Sequence, residues 1–144
     1  MTIRKATQAD IAGILALDPE VAQDESRSRH IHEWVSKGFA YVALVDQRLT
    51  GYAVLEYSFF YLGFISMVMV SEAGRRQGVG AALISHVESI CKTRKLFTST
   101  NESNEPMKAL LHRLAFEPSG VVYNLDDDDP ELFYFKLLHE NRQS

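Results

Sequence analysis

The chain has 144 residues, 46% of them hydrophobic and 24% charged, and its formal net charge is −4. This composition suits one folded domain with a real core and fits no disordered, fibrous or low-complexity class. It also argues against nucleic-acid partners, whose affinity for a protein rests on clustered Lys and Arg, so any anion site must be local.

From the N-terminus, residues 2–5 read as a short strand. Asp10 then caps a helix whose Ile11, Ile14 and Leu15 share one face until Asp18-Pro19 ends it. A second helix, about residues 26–37, turns Ile31, Trp34 and Val35 inward and stops at Gly38, with Trp34 as a core anchor and a ligand stack as its competing reading. Three strands follow at residues 39–45, 51–57 and 63–70, the first two joined by Asp46-Gln47-Arg48 as an antiparallel hairpin. The longest weakly interrupted apolar run, residues 59–70, has 12 residues, against the ~20 that cross a bilayer. MTIRKATQAD lacks an apolar signal core, so the expected location is the cytoplasm, with no membrane partner.

The strand at residues 63–70 stops at a polar turn, and a glycine-spaced helix start follows. Helix N-termini carry unpaired N–H groups and partial positive charge, so the amides of Gln77, Gly78, Val79, Gly80 and Ala81 suit a pyrophosphate. Gly78 and Gly80 lack the Cβ atoms that would hold phosphate away, and Arg75 and Arg76 add cations. The helix runs to about Thr93 with Val79, Leu83, Val87 and Ile90 inward. Cys91, the single cysteine, continues that stripe as a core thiol, with a nucleophile as its competing reading, and excludes an intramolecular disulfide or a C-x-x-C zinc pattern. Residues 96–100 form a strand that a right-handed crossover sets parallel to residues 63–70. Asn104 caps a helix with Pro106 near its start and Met107, Leu110, Leu111 and Leu114 on one face. Residues 119–125 and 131–138 then flank an acidic turn, Asp126, Asp127, Asp128 and Asp129, followed by Pro130. A single domain over residues 1–144 is expected, with residues 139–144 as a frayed tail.

Val70, five residues to Arg75, and R-x-x-G-x-G from Arg75 to Gly80 together resemble the acyl-coenzyme A signature of the GNAT superfamily of N-acetyltransferases. The order strand, two helices, three strands, helix, strand, helix, two strands is similar to that family along nearly the whole chain. The resemblance implies an α/β (α+β) GNAT acyl-CoA N-acyltransferase fold: a mixed, mostly antiparallel sheet of about seven strands, four helices and a splayed parallel pair at the cofactor site. It implies direct transfer of an acetyl group from acetyl-CoA to a primary amine of a small molecule or peptide in a ternary complex, without a metal. The implied donor contacts are Val68, Met69, Val70, Arg75, Arg76, Gln77, Gly78, Val79, Gly80, Ala81 and Asn104.

The segment from Asn104 to Phe116 resembles the family's second signature with two departures. Leu111 stands where relatives commonly carry a tyrosine that protonates the leaving thiolate, and Ala115 replaces the glycine before Phe116. Tyr123, His112 or water are the remaining acids, with a solvated helix residue as the competing reading of His112. Some relatives place a base at the position of Ser99. Glu56, between Leu55 and Tyr57, is the best remaining carboxylate, with a solvent-facing strand residue as its competing reading. Tyr57, Tyr61, Glu102 and Tyr123 are reserves.

Phe59, Phe60, Tyr61 and Phe64 line an acceptor pocket or, equally, form core or a dimer face. The acidic turn favours a cationic acceptor such as a polyamine, an aminoglycoside-like polycation or a basic peptide terminus, the alternative being a solvated turn. The apolar strand at residues 132–138 reads as a sheet edge through which a homodimer forms. A non-catalytic acyl-CoA-binding module, acting as sensor or partner subunit, is the alternative function.

Overall fold

The computed structural model describes residues 1–138; the frayed tail expected at 139–144 lies outside the described residues. The elements are β1 (Thr2–Lys5), α1 (Ile11–Leu17), α2 (Glu25–Ser36), β2 (Ala40–Val45), β3 (Arg48–Phe59), β4 (Leu62–Val70), α3 (Val79–Ile90), β5 (Lys95–Asn101), α4 (Glu105–Arg113), β6 (Glu117–Val122) and β7 (Glu131–Leu137). The strands form a seven-stranded mixed sheet of order β1-β2-β3-β4-β5-β7-β6. The chain divides into two compact units, one of Met1–Leu55 with Met67–Ser89, the other of Glu56–Ser66 with the chain from Ile90 onward.

In the first unit, β1 pairs antiparallel with β2 from Thr2↔Leu44 to Lys5↔Tyr41, and β2 pairs with β3 across a bulge at Ala43/Leu44. The β2–β3 turn is tighter than expected. Arg48 already belongs to β3, and Asp46 and Gln47 both take left-handed backbone, φ 51° and 65°, matching the strand twist as a two-residue turn. Helical spacing sets the core, where Ile11, Ile14, Ile31 and Val35 pack with Val42, Tyr52 and Val54. Trp34 packs on that cluster from its half-buried rim, its ring 5.8 Å from His30.

Asp18, which the sequence marks only as a helix stop, is 3% exposed. It accepts hydrogen bonds from the Glu20 N–H at 2.9 Å, Arg27 at 2.7 Å and the Tyr52 hydroxyl at 2.6 Å. Each contact offsets the desolvation of a buried carboxylate and fixes the segment after α1 against β3.

In the second unit, β4 and β5 run parallel through Gly63↔Leu96, Phe64↔Phe97 and Ile65↔Thr98. β7 pairs antiparallel with all seven residues of β5, from Lys95↔Leu137 to Asn101↔Glu131, and on its other side with β6. The edge expected at residues 132–138 is therefore wrong. The last strand enters between its two predecessors in the sheet, and β6, exposed at all six positions, ends the order. Chain order misled because consecutive strands are neighbours only about two-thirds of the time.

Cys91 is buried as expected, and a Cβ on Gly63 would sit 2.5 Å from its sulfur. The β3–β4 turn is made by Phe60 and Tyr61, left-handed at φ 52° and 62°. Tyr61 is 91% exposed, so it belongs to no core.

Candidate active site

The first unit builds the turn between β4 and α3 largely from backbone contacts. Past Val70, the Ser71 N–H donates to the Thr50 carbonyl at 2.8 Å, and the Gly74 N–H donates to the Ser71 carbonyl at 3.0 Å and hydroxyl at 3.2 Å. This closes a 3-10 turn at Ala73–Arg76 with Arg75 and Arg76 exposed. Gly51 is the hidden requirement. A Cβ there would lie 2.9 Å from the Met69 carbonyl oxygen and 3.0 Å from Val79, so only glycine lets the end of β4 and the first residue of α3 settle on β3.

Gly78 is left-handed at φ 73°, and nothing lies within 4 Å of its Cβ position. The Gln77 N–H donates to the Gly74 carbonyl at 3.0 Å, so that amide closes the turn. The first bond of the next helix runs from the Ala82 N–H to the Gly78 carbonyl, leaving the amides of Val79, Gly80 and Ala81 ahead of the intrahelical ladder. Val68 is half-buried, while Met67 and Met69 pack against the first unit's core.

In the second unit Glu56 is half-buried, and the Ser66 hydroxyl donates to its carboxylate. Glu56 is thus no free solvent-facing strand residue. The Tyr57 hydroxyl accepts from the Lys92 N–H at 3.1 Å, which ties this reserve residue to the segment after α3. Ser99 donates at 2.6 Å to Glu131, a carboxylate the sequence reading passed over. The only signal that could have found it is the β5–β7 register, because Asn101 pairs with Glu131 and Ser99 stands two residues away on the same face.

Asn104 caps α4, accepting the Met107 N–H at 3.2 Å. Leu111 is completely buried, whereas His112 lies on the exposed side of the helix. Ala115 takes the left-handed backbone that glycine would take freely, φ 68°. The Ala115 N–H reaches the His112 carbonyl and the Phe116 N–H the Leu111 carbonyl, a Schellman closure.

Tyr123 is 65% exposed and borders a hollow of about 380 Å³ with Asn124, the four turn aspartates and Pro130. Two of those aspartates have local work. Asn101 donates to Asp126 at 2.9 Å, and the Ser103 N–H and hydroxyl donate to Asp129 at 3.1 and 2.6 Å. Glu102 is exposed; its N–H donates to the Pro130 carbonyl. Among the described residues, no group of three or more His, Cys, Asp or Glu converges as a metal site, and no helix is long and apolar enough to cross a membrane.

A sequence model of the acetyltransferase (GNAT) family matches residues 9–116. A GNAT-family acetyltransferase structure from Bacillus cereus ATCC 10987 is 33% identical, with a TM-score of 0.89 over 96% of this chain and 97% of that one. Ard1 from Thermoplasma volcanium shares the fold at 19% identity and a TM-score of 0.84, covering 96% of this chain and 98% of its own. So does yncA from Salmonella typhimurium, solved with its cofactor acetyl-CoA, at 20% identity and a TM-score of 0.77 over 100% and 97% of the two chains. Among curated proteins none matches the sequence. The chain belongs to the GNAT acetyltransferase family, and its seven-stranded mixed sheet with four α-helices is that family's fold.

Proposed function

We propose that this chain is an acetyl-CoA-dependent N-acetyltransferase that acts on a primary amine of a small molecule or peptide in a ternary complex. The observation that carries the reading is the open helix start at Gly78 in a chain of this family. Its left-handed backbone and the space at its Cβ position leave room for phosphate oxygens beside the amides of Val79, Gly80 and Ala81. Arg75 and Arg76 supply charge, Gln77 closes the turn, and Asn104 is retained as a donor contact through its helix-capping position. The backbone of Met69 and Val70 is assigned to the pantetheine amides and Val68 to an apolar contact. The acetyl-CoA in yncA supports the same donor here.

Acetyl-CoA, when bound, supplies a thioester carbonyl to which the amine nitrogen bonds as the carbon–sulfur bond breaks. Glu56 is assigned the ammonium proton, with Ser66 fixing one carboxylate oxygen. The Met69 or Val70 N–H is assigned to the negative oxygen that develops. Tyr123 is the assigned acid for the thiolate, with His112 second. The turn at Asp126, Asp127, Asp128 and Asp129 favours cationic acceptors by its field.

The family match crosses both compact units, which supports one functional domain over residues 1–144. A cytoplasmic enzyme without membrane or nucleic-acid partners fits the reading. β6 is the edge assigned to a homodimer, and sedimentation giving a monomer counts against that dimer.

Complete burial of Leu111 at the family's tyrosine position favours one other reading, a non-catalytic acyl-CoA-binding module. Thiol release from acetyl-CoA across an amine panel, with calorimetry of coenzyme A binding, separates them. Amine-dependent release supports the enzyme, binding without release supports the module, and absence of binding overturns both.

A further inference from the structure

The second unit carries an aromatic sheet face that its own packing leaves half-exposed. Phe64 and Phe97 stand side by side across the parallel pair. The Phe59 ring lies 4.9 Å from Phe64, 5.2 Å from Phe97 and 5.8 Å from Phe133, while Phe135 lies 5.3 Å from Phe97. None of these five rings is buried. On the other side of the same strands Leu96, Thr98 and Tyr134 are buried, and Lys136 covers the Phe116 ring. The unit is therefore packed on one face and retains a continuous aromatic surface on the other, where an apolar body can be removed from water.

Strand alternation places Ser66 two residues past Phe64 and Ser99 two residues past Phe97, both on the aromatic face. The two hydroxyls stand one residue beyond the last β4–β5 pair, toward the C-terminal ends of parallel strands. Each holds a carboxylate, Ser66 that of Glu56 and Ser99 that of Glu131. Glu131 precedes Phe133 by two residues on β7 and so borders the same rings. A half-buried carboxylate with one lone pair fixed by a serine keeps acceptor capacity for a cation. The faces of adjacent aromatic rings attract that same cation.

We infer that Glu131, seated by Ser99, is a specificity residue that receives the acceptor's ammonium group while the phenylalanine face receives the carbon skeleton attached to it. The acceptor class is a primary amine with an aromatic or bulky apolar body. This rests on the N-acetyltransferase reading and narrows its substrate. Glu56 keeps the proton-accepting role, and Ser99 is a positioning residue that acts through Glu131.

The test measures thiol release from acetyl-CoA with ethylamine, 2-phenylethylamine, spermidine and glutamate, in wild type, Glu131→Gln, Ser99→Ala and Ser99→Thr, with coenzyme A affinity by calorimetry as the check on folding. Wild type is expected to prefer 2-phenylethylamine over ethylamine by about tenfold or more in kcat/KM. Glu131→Gln and Ser99→Ala are expected to raise KM for 2-phenylethylamine by about tenfold and leave kcat within about twofold. Ser99→Thr keeps a hydroxyl and is expected to restore the wild-type KM, an outcome a merely structural serine would not produce. Equal use of ethylamine and 2-phenylethylamine, or an unchanged KM in Glu131→Gln and Ser99→Ala, overturns the inference and leaves N-acetyl transfer standing. If no amine drives thiol release from a chain that binds coenzyme A, the N-acetyltransferase reading fails and the specificity role fails with it.

Discussion

The Tyr52 hydroxyl donates a 2.6 Å hydrogen bond to Asp18, a residue 34 positions earlier whose side chain has no exposed surface. Burial first, and the adjacent Asp18 carboxylate second, push the Tyr52 phenol far above its ordinary pKa. The folded chain thus keeps a proton that the unfolded chain releases near pH 10. Above that pH the unfolded state binds fewer protons, so stability falls as pH rises; below it the contribution is fully present. Tyr52→Phe is expected to lose about 1–3 kcal/mol at neutral pH, because Asp18 stays buried with one partner fewer. The difference from wild type should then narrow above pH 10, as followed by urea unfolding at a series of pH values.

Gly78→Asp separates backbone strain from anion binding. Its φ of 73° makes any Cβ cost ~1–2 kcal/mol, which Gly78→Ala reports alone. The carboxylate adds like-charge repulsion at the amides of Val79, Gly80 and Ala81. Coenzyme A affinity by calorimetry should fall by about tenfold or more in Gly78→Asp relative to Gly78→Ala. Equal affinities in the two folded variants would remove the phosphate assignment.

Ala115→Gly should stabilise the protein. The alanine holds φ 68° to complete the closure of α4, a conformation glycine reaches without a Cβ conflict. The gain is expected to be about 1 kcal/mol, the left-handed penalty less the added freedom of the unfolded chain. That corresponds to a rise of roughly 2–4 °C in Tm. A thermal scan showing no rise would mean that the turn relieves its strain elsewhere.

Glu56→Gln keeps the shape and the Ser66 contact but removes the carboxylate assigned as proton acceptor. At saturating acetyl-CoA and one fixed amine, kcat should fall by about 100-fold. Tyr123→Phe should give a smaller loss and His112→Ala smaller still, since His112 lies on the exposed side of α4. A Glu56→Gln enzyme with wild-type kcat would transfer the base role to another group.

What the sequence made legible, and what it hid, follows from the range of each interaction. The glycine-spaced turn after Val70 and the inward stripe of α3 are local patterns: Val79, Leu83 and Val87 are buried where the period puts them, joined by Ile84, while Ile90 at the end of the helix is half-buried. Ser99–Glu131 spans 32 residues and depends on β7 entering between β5 and β6, which no local period encodes. Asp18 resembled a helix stop because Pro19 follows it, and only the folded position of Tyr52 makes it an anchor. Gly51 opens the strand expected at residues 51–57, and only the folded position of the Met69 carbonyl, 2.9 Å from where a Cβ would sit, makes glycine necessary there.

The placement of β7 between β5 and β6 also sets a schedule for biosynthesis. β6 is made first but pairs with β7, so its exposed backbone has no native ladder until the segment Glu131–Leu137 has left the ribosome. The second unit is therefore assembled retroactively. A nascent chain paused before residue 131 would present β5 with β4 on one side only and β6 with no partner strand, open edges prone to pairing with another chain and of the kind a holdase chaperone would meet.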